Sequence, residues 1–280
     1  MAMKTVLITG CSDGGIGSTM AKQFAAQGYH VFATLRSPMK GKSLVGVHGL
    51  EILELEVTSK ESIEQCAAEV KKRTGGTLDI LVNNAGADFV IPLLDVSIDE
   101  AKRLYDINVW SILALTQSFA PMLIKAKGCV ANLSSIAACM PLCWSGIYSS
   151  SKAAAKQISE ILRVELRPLG VRVITGMVGA VKTPIHDRTG ELNLPTGSYY
   201  QNIRDLINDI RKGTKKPGAV DVEVASKAII NDITSGKSGI IWRGGTSSLT
   251  RYLEWLLPNG LWETVVNNGR GLELVKLGEK

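Results

Sequence analysis

Short runs of apolar, β-branched residues alternate along the chain with longer segments that have helical spacing of apolar positions. Such uninterrupted runs are typical of strands buried on both faces of a parallel sheet. The pattern predicts seven strands, at Thr5–Thr9, His30–Leu35, Leu50–Glu56, Ile80–Asn83, Cys129–Leu133, Val171–Met177 and Gly239–Trp242. It predicts crossover helices at Ile16–Gln27, Ser59–Lys72, Ser97–Lys125, Tyr148–Leu169 and Val220–Asp232. This order favours an α/β fold with a doubly wound parallel sheet.

No internal repeat or low-complexity linker divides the chain, so we expect one domain over residues 1–280. Its core spans about residues 4–245. Apolar residues follow i, i+3, i+4, i+7 spacing within residues 184–219, which we interpret as a lid helix over substrate: Ile203, Leu206, Ile207 and Ile210. The extension, about residues 246–280, carries a similar apolar pattern. It is expected to pack on the protein or on another subunit, with a lipid surface as the second interpretation.

Composition excludes several classes of protein. The chain is 45% hydrophobic and 21% charged, as in ordinary globular proteins. Five cysteines without a C-x-x-C pair argue against a disulfide framework and indicate a reducing compartment. Three histidines lack the spacing of a metal site, so no metal is predicted. The net charge of +6 comes from scattered basic residues, so no nucleic-acid partner is predicted.

No apolar segment reaches the length of about 18 residues that a membrane span requires. The apolar run at the start of the chain is too short for a secretory signal. We therefore expect a cytoplasmic protein. Because the extension contains only Arg251 and Arg270 as basic residues, peripheral contact with a membrane or lipid droplet ranks below packing or an oligomer contact.

The first predicted strand leads through a glycine-rich turn into a helix. Ligands of doubly wound sheets bind beyond the carboxyl ends of the strands, and glycines let the backbone approach a pyrophosphate at a helix N-terminus. The residues predicted to bind the nucleotide here are Gly10, Ser12, Gly15, Ile16 and Gly17. A glycine-rich turn without a ligand is the competing interpretation.

The end of the second strand indicates which dinucleotide binds. A carboxylate there would bind the ribose 2′-hydroxyl of NAD, whereas an arginine accommodates a 2′-phosphate. This chain has Arg36 followed by Ser37 and no carboxylate. We therefore predict NADP(H), although Arg36 could also be an ordinary surface residue.

A serine, a tyrosine and a lysine form the strongest candidate for chemistry. Ser135 follows the fifth strand, and Tyr148 and Lys152 lie four residues apart on one helix face. We expect the ammonium to favour the phenolate and to lower the tyrosine pKa from its usual value near 10.

Together, TGCSDGGIG, NNAG at residues 83–86, Asn108 in INVWS, NLSS and YSSSK resemble the short-chain dehydrogenase/reductase family. The motifs follow the family's order across about residues 4–245. The resemblance implies a Rossmann-like domain, hydride transfer with a nicotinamide cofactor, and a catalytic tetrad of Asn108, Ser135, Tyr148 and Lys152. Ser135 would polarise the substrate carbonyl, Tyr148 would donate the proton, Lys152 would lower the tyrosine pKa and hold the ribose, and Asn108 would secure a water.

The resemblance also implies further cofactor contacts: Glu56, Val57, Asn84, Ala85, Gly86, Tyr148, Lys152, Val181 and Thr183. The chain departs from the family pattern in three places. Four residues, not three, separate Gly10 from Gly15, Glu56 replaces an aspartate expected near the adenine, and Val178-Gly179 replaces Pro-Gly.

Apolar residues around the tetrad predict a small hydrophobic carbonyl or alcohol substrate: Phe89, Val90, Ile91, Met140, Leu142 and Trp144. Core packing is the competing interpretation. A finer resemblance is to the fungal branch that contains NADPH-dependent 1-acyldihydroxyacetone-phosphate reductases, which also holds polyketide and terpenoid dehydrogenases. A cofactor-bound non-redox enzyme or a regulatory NADP-binding protein is the alternative function. The family resemblance implies a homo-oligomer.

Overall fold

The computed structural model describes residues 3–186, 190–214 and 218–276. Seven strands form one parallel sheet in the order β3-β2-β1-β4-β5-β6-β7. The strands are β1 (Thr5–Ile8), β2 (His30–Leu35), β3 (Leu50–Glu54), β4 (Ile80–Asn83), β5 (Cys129–Ser135), β6 (Arg172–Val178) and β7 (Gly239–Arg243). The chain winds outward in both directions from β1, which places the switch point between β1 and β4.

Helices cover both faces of the sheet, and the prediction of a doubly wound fold is confirmed. They are α1 (Ile16–Ala26), α2 (Lys60–Thr74), α3 (Ile98–Tyr105), α4 (Ser111–Ala126), α5 (Gly146–Leu166), α6 (Arg204–Arg211), α7 (Val222–Thr234), α8 (Ser247–Leu256) and α9 (Asn259–Asn267). Helices α1 and α7 bury Phe24 and Ile229 against one face. Helices α2, α4 and α5 bury Val70, Phe119 and Leu162 against the other.

The predicted helix Ser97–Lys125 is interrupted. A π-helical turn at Asp106–Trp110 separates α3 from α4. Among the described residues, the continuous helical run Ile98–Ala126 is long and apolar enough to cross a membrane, contrary to the sequence-based expectation. Half of its most apolar window is buried inside the protein, as in a core helix.

The segments beyond the sheet core lie near the carboxyl ends of β5 and β6. Helix α6 forms within the predicted lid, whose residues 187–189 and 215–217 lie outside the described residues. Residues 1–2 and 277–280 of the expected domain also lie outside them. In the C-terminal extension, α8 exposes Leu249, Tyr252 and Trp255, whereas α9 buries Trp262.

Candidate active site

The glycine-rich loop packs against the loop that follows β4. Gly10 has a φ of +72°, and a Cβ there would lie 2.8 Å from the Cα of Ala85. At Gly17, a Cβ would lie 2.5 Å from Nδ2 of Asn84. That same Nδ2 donates to the carbonyls of Thr9 (2.7 Å) and Gly10 (3.1 Å). Only glycine fits Gly10 and Gly17, because Asn84 and Ala85 support the loop from behind.

The start of α1 fits an anionic group. Gly15 is the N-cap and provides no side-chain cap, and the first turn contains no acidic residue. The first backbone N–H groups of the helix, which begins at Ile16, are therefore left for a ligand, and the helix dipole favours negative charge there. Ser12 is half-buried in the same loop, and its carbonyl accepts a hydrogen bond from the N–H of Gly15 (3.1 Å).

Sequence reasoning did not anticipate the role of Asp13, the residue next to Ser12. Its Oδ1 accepts hydrogen bonds from the hydroxyl (2.5 Å) and N–H (3.2 Å) of Ser43, and its own N–H donates to the carbonyl of Lys40 (2.8 Å). Ser43 and Lys40 lie in the 3₁₀ segment Pro38–Leu44, just beyond the end of β2. Asp13 therefore ties the glycine-rich loop to the segment expected to surround the adenosine ribose.

At the end of β2, Arg36 is an exposed side chain and Ser37 is half-buried. The Arg36 guanidinium lies 3.7 Å from the carboxylate of Glu56. Oε1 of Glu56 also accepts from the N–H (3.2 Å) and hydroxyl (2.9 Å) of Thr58. The carboxylate expected near the adenine is thus held by its own loop and by Arg36, while Val57 packs against the core.

Asn108 is fully buried in the π-helical turn. Its Oδ1 accepts from the N–H of Ala87 (2.9 Å), and its Nδ2 donates to the carbonyl of Ala87 (2.9 Å) and to Oγ of Ser151 (3.0 Å). The side chain therefore holds the peptide after Gly86 in place. This explains the interruption of the helix, because the pairing is tertiary and not a property of the local sequence.

Gly86 brings Asn108 and Lys152 together. A Cβ at Gly86 would lie 3.2 Å from Oδ1 of Asn108 and 3.3 Å from Nζ of Lys152. The Lys152 ammonium donates to the carbonyl of Leu133 (3.1 Å). Glycine at this position leaves room for both polar groups beside the loop.

Ser135, Tyr148 and Lys152 meet at the carboxyl end of β5. The side chains of Ser135 and Tyr148 are hydrogen-bonded, and Nζ of Lys152 lies 6.0 Å from the centroid of the Tyr148 ring. The expected lowering of the Tyr148 pKa is wrong for the protein without ligand. Desolvation raises that pKa above its usual value, and the nearby charge of Asp88 raises it further. The hydrogen bond with Ser135 opposes this rise.

Burial lowers the pKa of Lys152 from 10.5 to about 8. The carboxylate of Asp88 acts against this effect and favours the ammonium. Sequence reasoning missed Asp88, although its position two residues after Gly86 is the signal that could have found it. The site therefore holds a neutral tyrosine hydroxyl beside a lysine that titrates close to physiological pH.

The loop after β6 closes the nucleotide side of the site. Val181 is buried and forms an isolated parallel bridge with Val220, and Thr183 lies half-buried two residues further on. Pro184 lies beside Gly14, where a Cβ would be 3.3 Å from its Cγ. Val181 and Thr183 are thus brought to the glycine-rich loop, as expected.

An apolar cluster lies beside the tetrad and includes several of the residues predicted to face substrate. It joins the loop after β4, the loop before α5 and the lid helix through its buried members Val90, Ile91, Trp144, Leu192, Ile203 and Ile207. Phe89 and Tyr200 pack at its edge. The predicted apolar face of the lid helix is confirmed for Ile203 and Ile207. Met140 and Leu142 lie in the loop before α5 and are half-buried.

Comparisons with known proteins agree over nearly the whole chain. The family model described as short chain dehydrogenase matches residues 4–193. A short-chain dehydrogenase of Talaromyces islandicus, cctT, is 50% identical over 275 residues, covering 98% of this chain and 97% of that protein. The NADPH-dependent 1-acyldihydroxyacetone phosphate reductase of Schizosaccharomyces pombe is 36% identical, covering 89% and 88%. The crystal structure of a short-chain dehydrogenase from Streptomyces avermitilis superimposes with a TM-score of 0.77 and 29% identity, covering 91% and 94%.

Proposed function

The chain belongs to the short-chain dehydrogenases, oxidoreductases that act on CH–OH groups with a nicotinamide cofactor, and from this premise we propose that it is an NADP(H)-dependent ketoreductase. Its proposed substrate is a hydrophobic carbonyl compound or the corresponding secondary alcohol. The observation that carries the proposal is the hydrogen-bonded pair of Ser135 and Tyr148 beside the buried Lys152. Bound NADP(H) would supply or accept the hydride.

The tetrad residues are proposed to manage the substrate oxygen and its proton. Ser135 donates a hydrogen bond to the carbonyl oxygen, which polarises it. The desolvated Tyr148 hydroxyl is protonated at neutral pH, so it donates its proton to that oxygen as negative charge develops there. Lys152 holds the ribose and replaces the proton on Tyr148. Asn108 fixes the Ala87 peptide beside Lys152 and secures the water that connects the site to solvent.

The cofactor is proposed to lie along the ends of β1, β2 and β4. Gly10, Ser12, Gly15, Ile16 and Gly17 would surround the pyrophosphate, where a Cβ has no room and a helix begins. Arg36 and Ser37 would bind the 2′-phosphate, with Glu56 and Val57 near the adenine. Asn84, Ala85 and Gly86 would support the second ribose, and Val181 and Thr183 the carboxamide and phosphate. The exposed guanidinium of Arg36 supports NADP(H) over NAD(H).

The apolar cluster supports a hydrophobic substrate. Its position between the loop after β4 and the lid helix places apolar side chains next to Tyr148. An acyldihydroxyacetone phosphate and a polyketide or terpenoid ketone are both compatible with this surface. Relatives named for the first activity and relatives named only as short-chain dehydrogenases are both similar to the chain.

Assembly and location are also proposals. We propose that residues 1–280 form one domain of a cytoplasmic homo-oligomer. The exposed Trp110, Ile161 and Val164 on the long helices around Asn108 and Tyr148 support a subunit contact there. Exposed apolar side chains on α8, above all Trp255, are the candidates for peripheral membrane or lipid contact.

The proposal is tested by following NADPH oxidation by the purified protein with acyldihydroxyacetone phosphates, steroid ketones and polycyclic polyketide ketones. Tyr148→Phe keeps the ring and removes the proton donor. We expect it to lower kcat by about 10²-fold or more while NADPH affinity changes little. Undiminished turnover by the variant would contradict the role of Tyr148. If NADPH binds and no ketone or alcohol reacts with the wild type, the oxidoreductase proposal for these substrate classes fails.

A further inference from the structure

Trp144 has an unusual backbone conformation next to the catalytic residues. Its φ is +68°, in the left-handed region that favours glycine, although its side chain is large and buried. Such a conformation persists only where the surroundings impose it, and it is frequent at functional sites. Trp144 lies four residues before Tyr148, at the point where the chain enters α5. Its backbone therefore sets how the chain approaches the catalytic tyrosine.

Three segments that are distant in sequence hold Trp144. Its carbonyl accepts a hydrogen bond from the N–H of Ile91 (2.7 Å), in the loop after β4. Its indole Nε1 donates to the carbonyl of Arg270 (2.9 Å), in the C-terminal extension. Its ring packs edge-to-face against Tyr200 of the lid at 5.0 Å between centroids. Trp144 is therefore the point where these three segments meet.

The C-terminal extension also binds the loop that links Ser135 to α5, residues 136–145, which we call the catalytic loop. Asn267, at the end of α9, is 9% exposed. Its Oδ1 accepts from the N–H of Cys143 (2.9 Å), and its Nδ2 donates to the carbonyl of Pro141 (2.9 Å). Trp262 donates from its indole Nε1 to the carbonyl of Cys139 (3.2 Å). Side chains of the extension thus satisfy backbone groups of a loop that lacks sheet partners for them.

The same extension contacts the lid. Nδ2 of Asn202 donates to the carbonyl of Leu274 (2.6 Å). At Gly271, which has a φ of +81°, a Cβ would lie 3.1 Å from a methyl carbon of Leu206, so the backbone packs closely on α6. Val275 packs against the apolar cluster that contains Trp144. One short segment therefore connects the catalytic loop to the lid.

We propose that Asn267 is a positioning residue that holds the catalytic loop, and that Trp144, fixed by this arrangement, determines substrate specificity by forming a wall of the apolar pocket. The proposal rests on the proposed ketoreductase function. The loop begins directly after Ser135 and ends directly before α5, so its path sets where Ser135 and Tyr148 lie relative to each other. The nucleotide loop at residues 9–17 contacts none of these groups in the hydrogen bonds described above, so cofactor binding is expected to be independent of Asn267.

The experiment compares Asn267→Ala with the matched control Asn268→Ala, which removes an exposed amide from the adjacent position. Amide hydrogen exchange is measured for peptides covering residues 136–149 and residues 5–17. For Asn267→Ala we expect faster exchange in residues 136–149 and unchanged exchange in residues 5–17. We expect kcat/KM for the best ketone to fall by about 10- to 100-fold, because small displacements of reacting groups have effects of this size. NADPH affinity is expected to stay within about twofold, and Asn268→Ala is expected to resemble the wild type.

Trp144 is tested by Trp144→Phe and Trp144→Ala with a small and a bulky ketone. We expect Trp144→Ala to raise the ratio of kcat/KM for the bulky ketone over the small one by about tenfold or more, and Trp144→Phe to change it much less. An unchanged ratio in Trp144→Ala would overturn the specificity role.

Two results would overturn the positioning role. One is equal exchange in residues 136–149 of Asn267→Ala and Asn268→Ala. The other is a parallel loss of NADPH affinity and melting temperature in Asn267→Ala, which indicates general destabilisation. Because exchange is measured without turnover, an inactive wild type would contradict the proposed function and leave the exchange comparison decisive for Asn267.

Discussion

Replacing Lys152 with methionine is expected to stabilise the cofactor-free protein while abolishing its activity. Methionine keeps an unbranched side chain and removes the ammonium from a site where Lys152 is 7% exposed. Burial lowers the pKa of Lys152 from 10.5 to about 8. At ~1.4 kcal/mol for each pH unit, this difference means that the buried charge costs about 3 kcal/mol of folding free energy at neutral pH.

The hydrogen bond from Lys152 to the carbonyl of Leu133 offsets part of this gain. Its loss costs about 1 kcal/mol, so the net gain of Lys152→Met at pH 7 is about 2 kcal/mol. The unfolded lysine keeps its proton up to pH 10.5, whereas the folded one loses it near pH 8. Between these values the unfolded state binds more protons, so this lysine becomes less costly to the wild type as pH rises. The advantage of the variant is therefore constant below pH 8 and decreases towards pH 10.5.

The assay is urea unfolding of both proteins without cofactor at several values between pH 7 and pH 10. Other buried groups titrate in this range, among them Cys11, whose pKa burial raises to about 12, but both proteins carry them and their effects cancel in the difference. Lys156→Met, one helical turn further along α5 at a half-buried position, is the control and is expected to give no pH-dependent advantage. A Lys152→Met protein that is less stable at pH 7, or whose advantage does not change with pH, would refute the reasoning.

Two further substitutions test the cofactor and relay sites. Arg36→Ala is expected to weaken NADPH binding by about 10- to 100-fold, the value of a charge-assisted hydrogen bond, and to leave NADH binding unchanged; fluorescence titrations that give equal losses for both would contradict the 2′-phosphate role. Gly86→Ala introduces a Cβ 3.2 Å from Asn108 Oδ1 and 3.3 Å from Lys152 Nζ, so steady-state kinetics should show kcat lower by about tenfold. Gly260→Ala, where nothing lies within 4 Å, is the matched control and should keep wild-type kcat.

The sheet could be predicted because its strands are nearly continuous apolar runs. Strand β4 is where the pattern placed it, and β5 extends two residues beyond the expected end, to Ser135. The π-helical turn at Asp106–Trp110 could not be predicted in the same way. Its cause is the pairing of Asn108 with the peptide of Ala87, which is 21 residues away in sequence. Local periodicity reports which face of a helix is buried, and it contains no information about such a partner.

The electrostatics of the tetrad illustrate a second limit. A lysine four residues from a tyrosine suggests a lowered tyrosine pKa when only the charge is considered. The structure adds desolvation, which acts on both groups in the direction of their neutral forms. It also adds Asp88, which neither the spacing of Tyr148 and Lys152 nor their residue types reveal. Burial is a property of the packed protein, so the sign of the shift at Tyr148 depends on information outside the motif.

The nucleotide side and the substrate side of the site differ in how far apart in sequence their contacts are, and this explains why only the first was accessible to motif reasoning. Gly10, Gly17 and their supporting Asn84 lie at strand ends whose positions the sheet dictates. The catalytic loop depends instead on Asn267 and Arg270, which contact it across more than 120 residues of sequence. Substitutions in the C-terminal extension can therefore alter the pocket wall at Trp144 without touching any residue that binds the cofactor or transfers the proton. Relatives with the same tetrad are then free to differ in substrate, and we expect the differences to concentrate where the extension meets the catalytic loop.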